Sequence, residues 1–330
     1  IAAETAWSCT TCHACVDVCP LSVNPLGMLT DMRRNLVGEG HLRGAPASAL
    51  QKMQRSGNPW GLPAAERLRW ASGLDVSLAA DTGEFELLYW IGCAAAYDPR
   101  SQEVARAMVQ LLRAANVDFA VLGPEERCTG ESARRLGDEF LYQELAASNL
   151  QSFDRYRVQK IVTHCPHCLN SFKNDYPQLG ARFEVKHHTE LLNELVQAGK
   201  LPGVGEATAG GGRRLTYHDP CYLARVNDII EPPRQLLSGD CQQLSEMPRR
   251  GHQTSCCGAG GGRMWFDDAP AERVGVGRVA EAMATGADTV AVSCPFCLTM
   301  MSDGLAAQNA SAQAKDVAEL LAETLDFNQA

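Results

Sequence analysis

The chain has 330 residues, 45% of them hydrophobic and 21% charged, with a formal net charge of −9. This is the composition of a folded globular protein. The acidic balance excludes the basic footprint of a nucleic-acid binder, so no nucleic acid is expected as a partner. No apolar run reaches the roughly 18 residues of a membrane span, and no signal-peptide pattern opens the chain. The first residue is Ile rather than Met, so the chain reads as processed, truncated or part of something longer.

Fourteen cysteines are present. A chain this long can build a core without disulfide staples, and its cysteines lie in short-range clusters, which suits metal or redox chemistry better. The first cluster is "CTTCHACVDVCP": Cys9, Cys12, Cys15, Cys19 and Pro20. The C-x2-C-x2-C-x3-C-P spacing signals a [4Fe-4S] cluster, and in two-cluster ferredoxins the fourth cysteine serves the other cluster. Cys19 is therefore either the fourth ligand of its own cluster or the ligand of a second one. Zinc is the alternative occupant, since thiolates also suit it. Helix-like segments such as "LGMLTDMRRNLV" follow, then the turn-rich "GNPWGLP". Residues 1–75 read as a small helical domain.

From residue 76 the chain repeats itself. Cys93 and Cys221 are 128 apart, as are Cys128 and Cys256, while Cys165 and Cys294, and Cys168 and Cys297, are 129 apart. "LLYWIGC" (87–93) aligns with "LTYHDPC" (215–221), and "IVTHCPHCLNSF" (161–172) with "VAVSCPFCLTMM" (290–301). Residues 76–200 and 214–330 are therefore two copies of one unit, separated by a Gly-rich linker, 201–213. In the first copy, "FELLYWIGC", "DFAVLG", "KIVTHC" and "RFEVKHH" read as strands. Helices are expected over 101–117, with Val104, Met108, Leu111 and Leu112 on one face. Further helices are expected over 131–153, over 166–176, and over 189–199 with Thr189 as cap and Gly199 as stop. Strand–helix alternation predicts parallel sheets covered by helices, and the cysteines fall at strand C-terminal ends, where such sheets hold ligands.

The second copy carries Cys221, Cys256, Cys257, Cys294 and Cys297. Five thiols exceed one tetrahedral ion or one plain cube, so they suggest a larger or open cluster. Gly258, Gly260, Gly261 and Gly262 would let backbone N–H groups approach its sulfides. The first copy carries Cys93, Cys128, Cys165 and Cys168, with Thr129 where the fifth thiol would stand. Four thiolates suit [4Fe-4S] or Zn. Cys241 is left over and reads as a packing residue. His164, His167 and His218 are candidate ligands or hydrogen-bond donors to the ligands, whereas His187 and His188 read as capping or packing residues. Arg225, Arg234 and Arg263 read as surface or cluster-neutralising charge in preference to a substrate site.

The pattern from Cys221 to Cys297, with Cys256–Cys257–Gly258 at its centre, resembles the CCG domain of heterodisulfide reductases. "WSCTTCHACVDVCP", "DMRRNLV", "GNPWG", "VLGPEERCTGES", "CCGAGGGRMW" and "CPFCLTMMSDG" further resemble the electron-transfer-flavoprotein-linked membrane iron–sulfur oxidoreductases. The resemblance implies an α/β fold with a helical ferredoxin-like N-terminal domain followed by two CCG repeats, the first degenerate (CTG). It implies an oxidoreductase that passes electrons from reduced electron-transfer flavoprotein through [4Fe-4S] and a noncubane [4Fe-4S] cluster on the five cysteines of the second repeat towards a membrane quinone. It also implies haem b and a second ferredoxin-type [4Fe-4S] cluster in sequence preceding Ile1 or in a partner subunit, at the cytoplasmic face of the membrane. The alternative is a heterodisulfide or thiol-substrate reductase with the second-repeat cluster catalytic.

Overall fold

The computed structural model describes residues 2–204, 213–238, 244–268 and 273–327. The inner strands are short, almost wholly buried apolar runs, as expected where helices cover both faces of a sheet, whereas the edge strands at Glu184–His187 and Gln313–Asp316 are more polar and exposed. One sheet contains β1 (Leu87–Trp90), β2 (Phe119–Ala120), β3 (Lys160–Thr163) and β4 (Glu184–His187), in the order β2-β1-β3-β4. The other contains β5 (Leu215–Tyr217), β6 (Thr289–Val292) and β7 (Gln313–Asp316), in the order β5-β6-β7. All pairings are parallel. The register carries the repeat: Leu88 faces Ile161 as Thr216 faces Val290, and Thr163 faces His187 as Val292 faces Asp316. Among the described residues, a parallel bridge from Leu215 to Leu244 lies beside β5 on the side where β2 lies in the first sheet.

The two repeats share one core, in which Tyr89 and Val162 of the first sheet join Tyr217 and Val290 of the second. The Pro99–Ala114 helix is capped by Asp98, which accepts from Ser101 N at 2.8 Å, and it buries Val104, Met108, Leu111 and Leu112. It packs on the Val317–Phe327 helix, and Arg100 grips Glu319 with two hydrogen bonds of 2.7 and 2.8 Å. Between the sheets, His188 Nε2 meets Asp316 Oδ1 at 2.9 Å. The N-terminal region is helical, with helices at Ala3–Ser8, Leu26–Gly38 and Ala45–Ser56.

Three local expectations change. The helix expected over 131–153 is two, Glu131–Leu136 and Glu139–Arg155. They break at Gly137, whose φ is +107° and whose Cβ would lie 2.5 Å from the Arg33 backbone carbon. The helix at His188–Gln197 is capped not by Thr189 but by His187, whose N–H donates to Glu190 Oε2 at 2.8 Å. Leu201 and Val204 are buried in the shared core, so the start of the Gly-rich segment is anchored. Residues 205–212 and Cys241 lie outside the described residues.

Candidate metal centres

Each central strand delivers a cysteine to its C-terminal end. Cys93 follows β1 in the Gly92–Tyr97 helix, and Cys221 follows β5 as the first residue of the Cys221–Asn227 helix. Cys165 and Cys294 follow β3 and β6 as N-caps, and Pro166 and Pro295 open the helices that carry Cys168 and Cys297. Proline at a first helical position fixes φ and wastes no N–H. The remaining thiols come from loops. Cys128 is held because its N–H donates to Gly57 O at 2.8 Å and its carbonyl accepts from Asn149 Nδ2 at 3.1 Å.

In the first repeat, Cys93, Cys128, Cys165 and Cys168 line one cavity together with Thr129. Cys93 and Cys128 lie close enough to shift one another's protonation, and Cys165 lies close enough to Cys168 to raise its pKa. Trp60, Trp265, Pro295 and Phe296 form the apolar part of the wall. Arg67 enters from the Ala64–Ala71 3-10 helix: Nη2 donates to Cys93 Sγ at 3.3 Å and Nη1 to Glu126 Oε1 at 2.5 Å. Glu126 also accepts from the N–H groups of Ile91 and Gly92. Burial alone would raise the Cys93 thiol, but Cys128 and Arg67 bring it below its ordinary value.

In the second repeat the thiols form a continuous chain of contacts. Cys221 touches Cys256, Cys256 touches Cys257, Cys257 and Cys297 lie 3.3 Å apart, and Cys297 touches Cys294. Gly258 N–H donates to Cys256 Sγ at 3.3 Å. The first repeat reaches into this site through His167. Its Nδ1 lies 3.0 Å from Glu131 Oε1, its ring lies 4.4 Å from that of Tyr222, and it interacts electrostatically with Cys294. Burial opposes protonation of His167, but Glu131 and Cys294 raise its pKa well above the usual value. Arg278 Nε donates to His218 Nδ1 at 2.9 Å, and burial, then Arg278, lower the His218 pKa to about 3.

The N-terminal run docks on this second site. Cys12 packs against Cys221, Tyr222 and Cys256, and its interaction with Cys256, then burial, raises its pKa. Thr11 Oγ1 and Tyr222 OH are 2.8 Å apart, and Arg225 Nη1 donates to Cys12 O at 2.9 Å. The glycine loop admits this run. A Cβ on Gly260 would lie 2.4 Å from Thr10 O, and one on Gly261 would lie 2.5 Å from Cys9 O. Cys12 and Cys15 act electrostatically on Cys9, whereas Cys19 Sγ accepts from Val23 N at 3.4 Å.

The other candidates are accounted for. His164 Nδ1 meets Tyr89 OH at 2.9 Å, and His187 Nδ1 meets Thr189 Oγ1 at 2.8 Å. Arg234 is paired with Asp219 and Glu246, and Arg263 with Asp268. Sequence reasoning missed Arg33, Arg67, Glu126, Glu131 and Arg278. Arg33 lies in "DMRRNLV" and Glu126 and Glu131 in "VLGPEERCTGES", motifs that carried the resemblance, so a signal existed for those three.

The described cysteines are all free of disulfides. Among the described residues, only one trio of His, Cys or carboxylate ligand atoms closes to within 4.8 Å of one another: His218, Cys257 and Cys297. The four thiols of the first repeat share the wall of one cavity. An all-sulfur donor set of this kind fits an iron–sulfur cluster.

Free thiols gathered at the strand ends of two parallel sheets define the class, an α/β cysteine-cluster protein built for metal. Residues 87–173 and 215–302 each match the cysteine-rich domain family, CCG. The chain is 42% identical to a probable iron–sulfur-binding oxidoreductase, FadF, of Bacillus subtilis, over 98% of this chain and 47% of that protein. It is 40% identical to the EtfAB:quinone oxidoreductase of Syntrophomonas wolfei, over 99% and 47%. It is 33% identical to one component of the dihydromethanophenazine:CoB–CoM heterodisulfide reductase of Methanosarcina barkeri, over 97% and 78%. The chain belongs to the CCG-domain, heterodisulfide reductase-like iron–sulfur oxidoreductases. It spans about half the length of the first two relatives. Among the described residues no helix is long and apolar enough to cross a membrane.

Proposed function

We propose that this chain is the electron-transfer part of an electron-transfer flavoprotein:quinone oxidoreductase. In this reading residues 1–75 form the ferredoxin-like unit, 76–200 the degenerate CCG repeat and 214–330 the intact one. Cys9, Cys12 and Cys15 hold a [4Fe-4S] cluster, with Cys19 as its fourth ligand or as ligand to a second ferredoxin-type cluster. Cys221, Cys256, Cys257, Cys294 and Cys297 hold a noncubane cluster, and Cys93, Cys128, Cys165 and Cys168 hold [4Fe-4S]. Four thiolates in a chain whose other cysteine sites are read as redox centres support iron–sulfur over zinc there. Such groups, when bound, supply one-electron transfer. The partner that accepts the electrons is a membrane haem and quinone module, at the cytoplasmic face, in the same longer chain or a separate subunit.

The observation that carries this reading is the packing of Cys12 against Cys221, Tyr222 and Cys256, across the interface where Gly260 and Gly261 take the Cys9–Thr10 backbone. The Cys9–Thr10 backbone lies against the glycine loop of the second-repeat site, which supports direct electron transfer between the two sites in this reading. The chain's own residues bind and insulate. Arg225 and Arg33 hold the Cys9–Cys12 loop by its carbonyls. Tyr222 and His167 fill the space beside Cys221 and Cys294.

The five thiols of the second repeat, and the likeness to a heterodisulfide reductase component, favour a second reading in which that site cleaves a disulfide. The test is reoxidation of reduced electron-transfer flavoprotein by the complete complex with a quinone. Turnover supports the first reading. No turnover, together with rapid reduction of a small heterodisulfide, supports the second. Stoichiometric zinc without iron or sulfide in anaerobically purified protein sinks both.

A further inference from the structure

His218 looks at first like a ligand. A ring nitrogen lies with the sulfurs of Cys257 and Cys297 inside 4.8 Å. The hydrogen-bond pattern argues otherwise. Arg278 Nε donates to His218 Nδ1 at 2.9 Å, and both side chains are fully buried. An arginine N–H can only donate, so Nδ1 must present its lone pair. A neutral imidazole with its lone pair on Nδ1 carries its hydrogen on Nε2. For Nε2 to bind a metal, Nδ1 would have to carry the hydrogen and point it at the arginine N–H. His218 Nε2 is buried and has no protein partner.

The other repeat holds a matching group. The alignment of "LLYWIGC" with "LTYHDPC" sets Trp90 opposite His218. Trp90 is fully buried and its Nε1 also lacks a protein partner. A Cβ built on Gly92 would lie 3.8 Å from that Nε1 and 3.5 Å from Cys168 Sγ, so the two border one spot in the first site. Cys168 is the repeat counterpart of Cys297. An indole can donate a hydrogen bond but cannot ligate.

We propose that His218 and Trp90 are equivalent hydrogen-bond donors, one per repeat, whose ring N–H groups are directed at cluster sulfur, with Arg278 as the positioning residue that fixes the His218 tautomer. This rests on the reading that the cysteines of each repeat hold an iron–sulfur cluster. A donor beside a cluster sulfur stabilises the reduced, more negative state and so raises the reduction potential.

The test uses anaerobically purified, cluster-loaded protein. In the unaltered protein labelled with 15N-histidine, pulsed EPR of the second-repeat cluster should show a weak nitrogen coupling and an exchangeable proton that disappears in D2O. In His218→Phe the second-repeat potential should become more negative with iron content unchanged, and Trp90→Phe should do the same to the first-repeat cluster alone. A strong nitrogen coupling, typical of a direct iron–nitrogen bond, overturns the proposal. So does a potential unmoved in His218→Phe. Should that variant fail to fold, the measurement on the unaltered protein decides. Absence of iron and sulfide at these sites in the unaltered protein would instead remove the underlying reading, before any substitution is made.

Discussion

Thr129 lies in the wall of the first cysteine cavity, buried beside Cys128, at the position where the other repeat has Cys257. One side chain therefore separates a four-thiol site from a five-thiol site. Cys128→Ala should remove the first-repeat cluster and spare the second. Iron analysis and EPR would show one set of signals lost, and unchanged iron would return Cys128 to the status of a packing thiol. Thr129→Cys should change the first-repeat spectrum while retaining its iron. Arg67 is the other decisive residue here. Its side chain and that of Glu126 are almost fully buried at 2% and 1% exposure. Arg67→Met strands a carboxylate in the interior, which costs about 3–5 kcal/mol. Arg67→Met combined with Glu126→Gln should recover part of that loss, because no charge is then left unpaired. A loss below about 1 kcal/mol in the single variant, read from the denaturation midpoint, would mean that water reaches Glu126.

At the scale of elements, the glycine loop after Cys257 does two jobs with one stretch of backbone. Gly258 offers its N–H to Cys256, while Gly260 and Gly261 make room for the Cys9–Thr10 segment. Gly261 has φ +65°, so Gly261→Ala combines a left-handed backbone cost of about 1–2 kcal/mol with a collision against backbone. The expected result is a protein that keeps its clusters but loses magnetic coupling between the N-terminal and second-repeat sites. Coupling at its native strength would show that the docking survives. Much of this arrangement was legible beforehand. The 128- and 129-residue offsets paired the cysteines of the two repeats, with Cys93, Cys165, Cys221 and Cys294 just beyond strand ends, and the register of the two sheets follows the same offsets. What escaped was long-range. Gly137 breaks a helix because the backbone of Arg33, far away in sequence, passes over it. No local periodicity announces such a contact. The pairing of Trp90 with His218 was present in the aligned heptapeptides, but its meaning needed the tautomer that Arg278 imposes.

The whole molecule is held by buried polar groups between its parts, and this makes it sensitive to acid. Burial lowers the pKa of His164 to about 3 and, with neighbouring histidines, takes His187 well below its usual value. Below about pH 6.5 the unfolded chain binds protons that the folded one refuses, so this stability is complete above pH 6.5 and falls away towards pH 3. The slope is at most about 1.4 kcal/mol per pH unit for each histidine. The melting temperature should therefore drop between pH 7.5 and 5.5, and less steeply in His187→Asn. Equal slopes would place the acid sensitivity elsewhere.

Arg33 joins all three parts of the chain. It is fully buried, and its Nε and Nη2 donate to Ala6 O at 2.9 and 2.8 Å. Nη2 also donates to Cys9 O at 2.6 Å, and Nη1 reaches Arg135 O of the first repeat at 2.6 Å and Gly261 O of the second at 3.0 Å. Burial lowers its pKa only to about 10, so it stays charged at neutral pH. Four carbonyls from three regions thus converge on one guanidinium, and removing it leaves buried acceptors unpaired at about 1–3 kcal/mol each. Arg33→Met should cost at least about 3 kcal/mol on that basis and free the N-terminal run for proteolysis ahead of the two repeats. Arg33→Lys should not rescue it, because a single ammonium cannot reach in the several fixed directions that the fork supplies. Rescue by lysine would mean that charge beside Cys9, rather than the fork geometry, is what the molecule needs at this position.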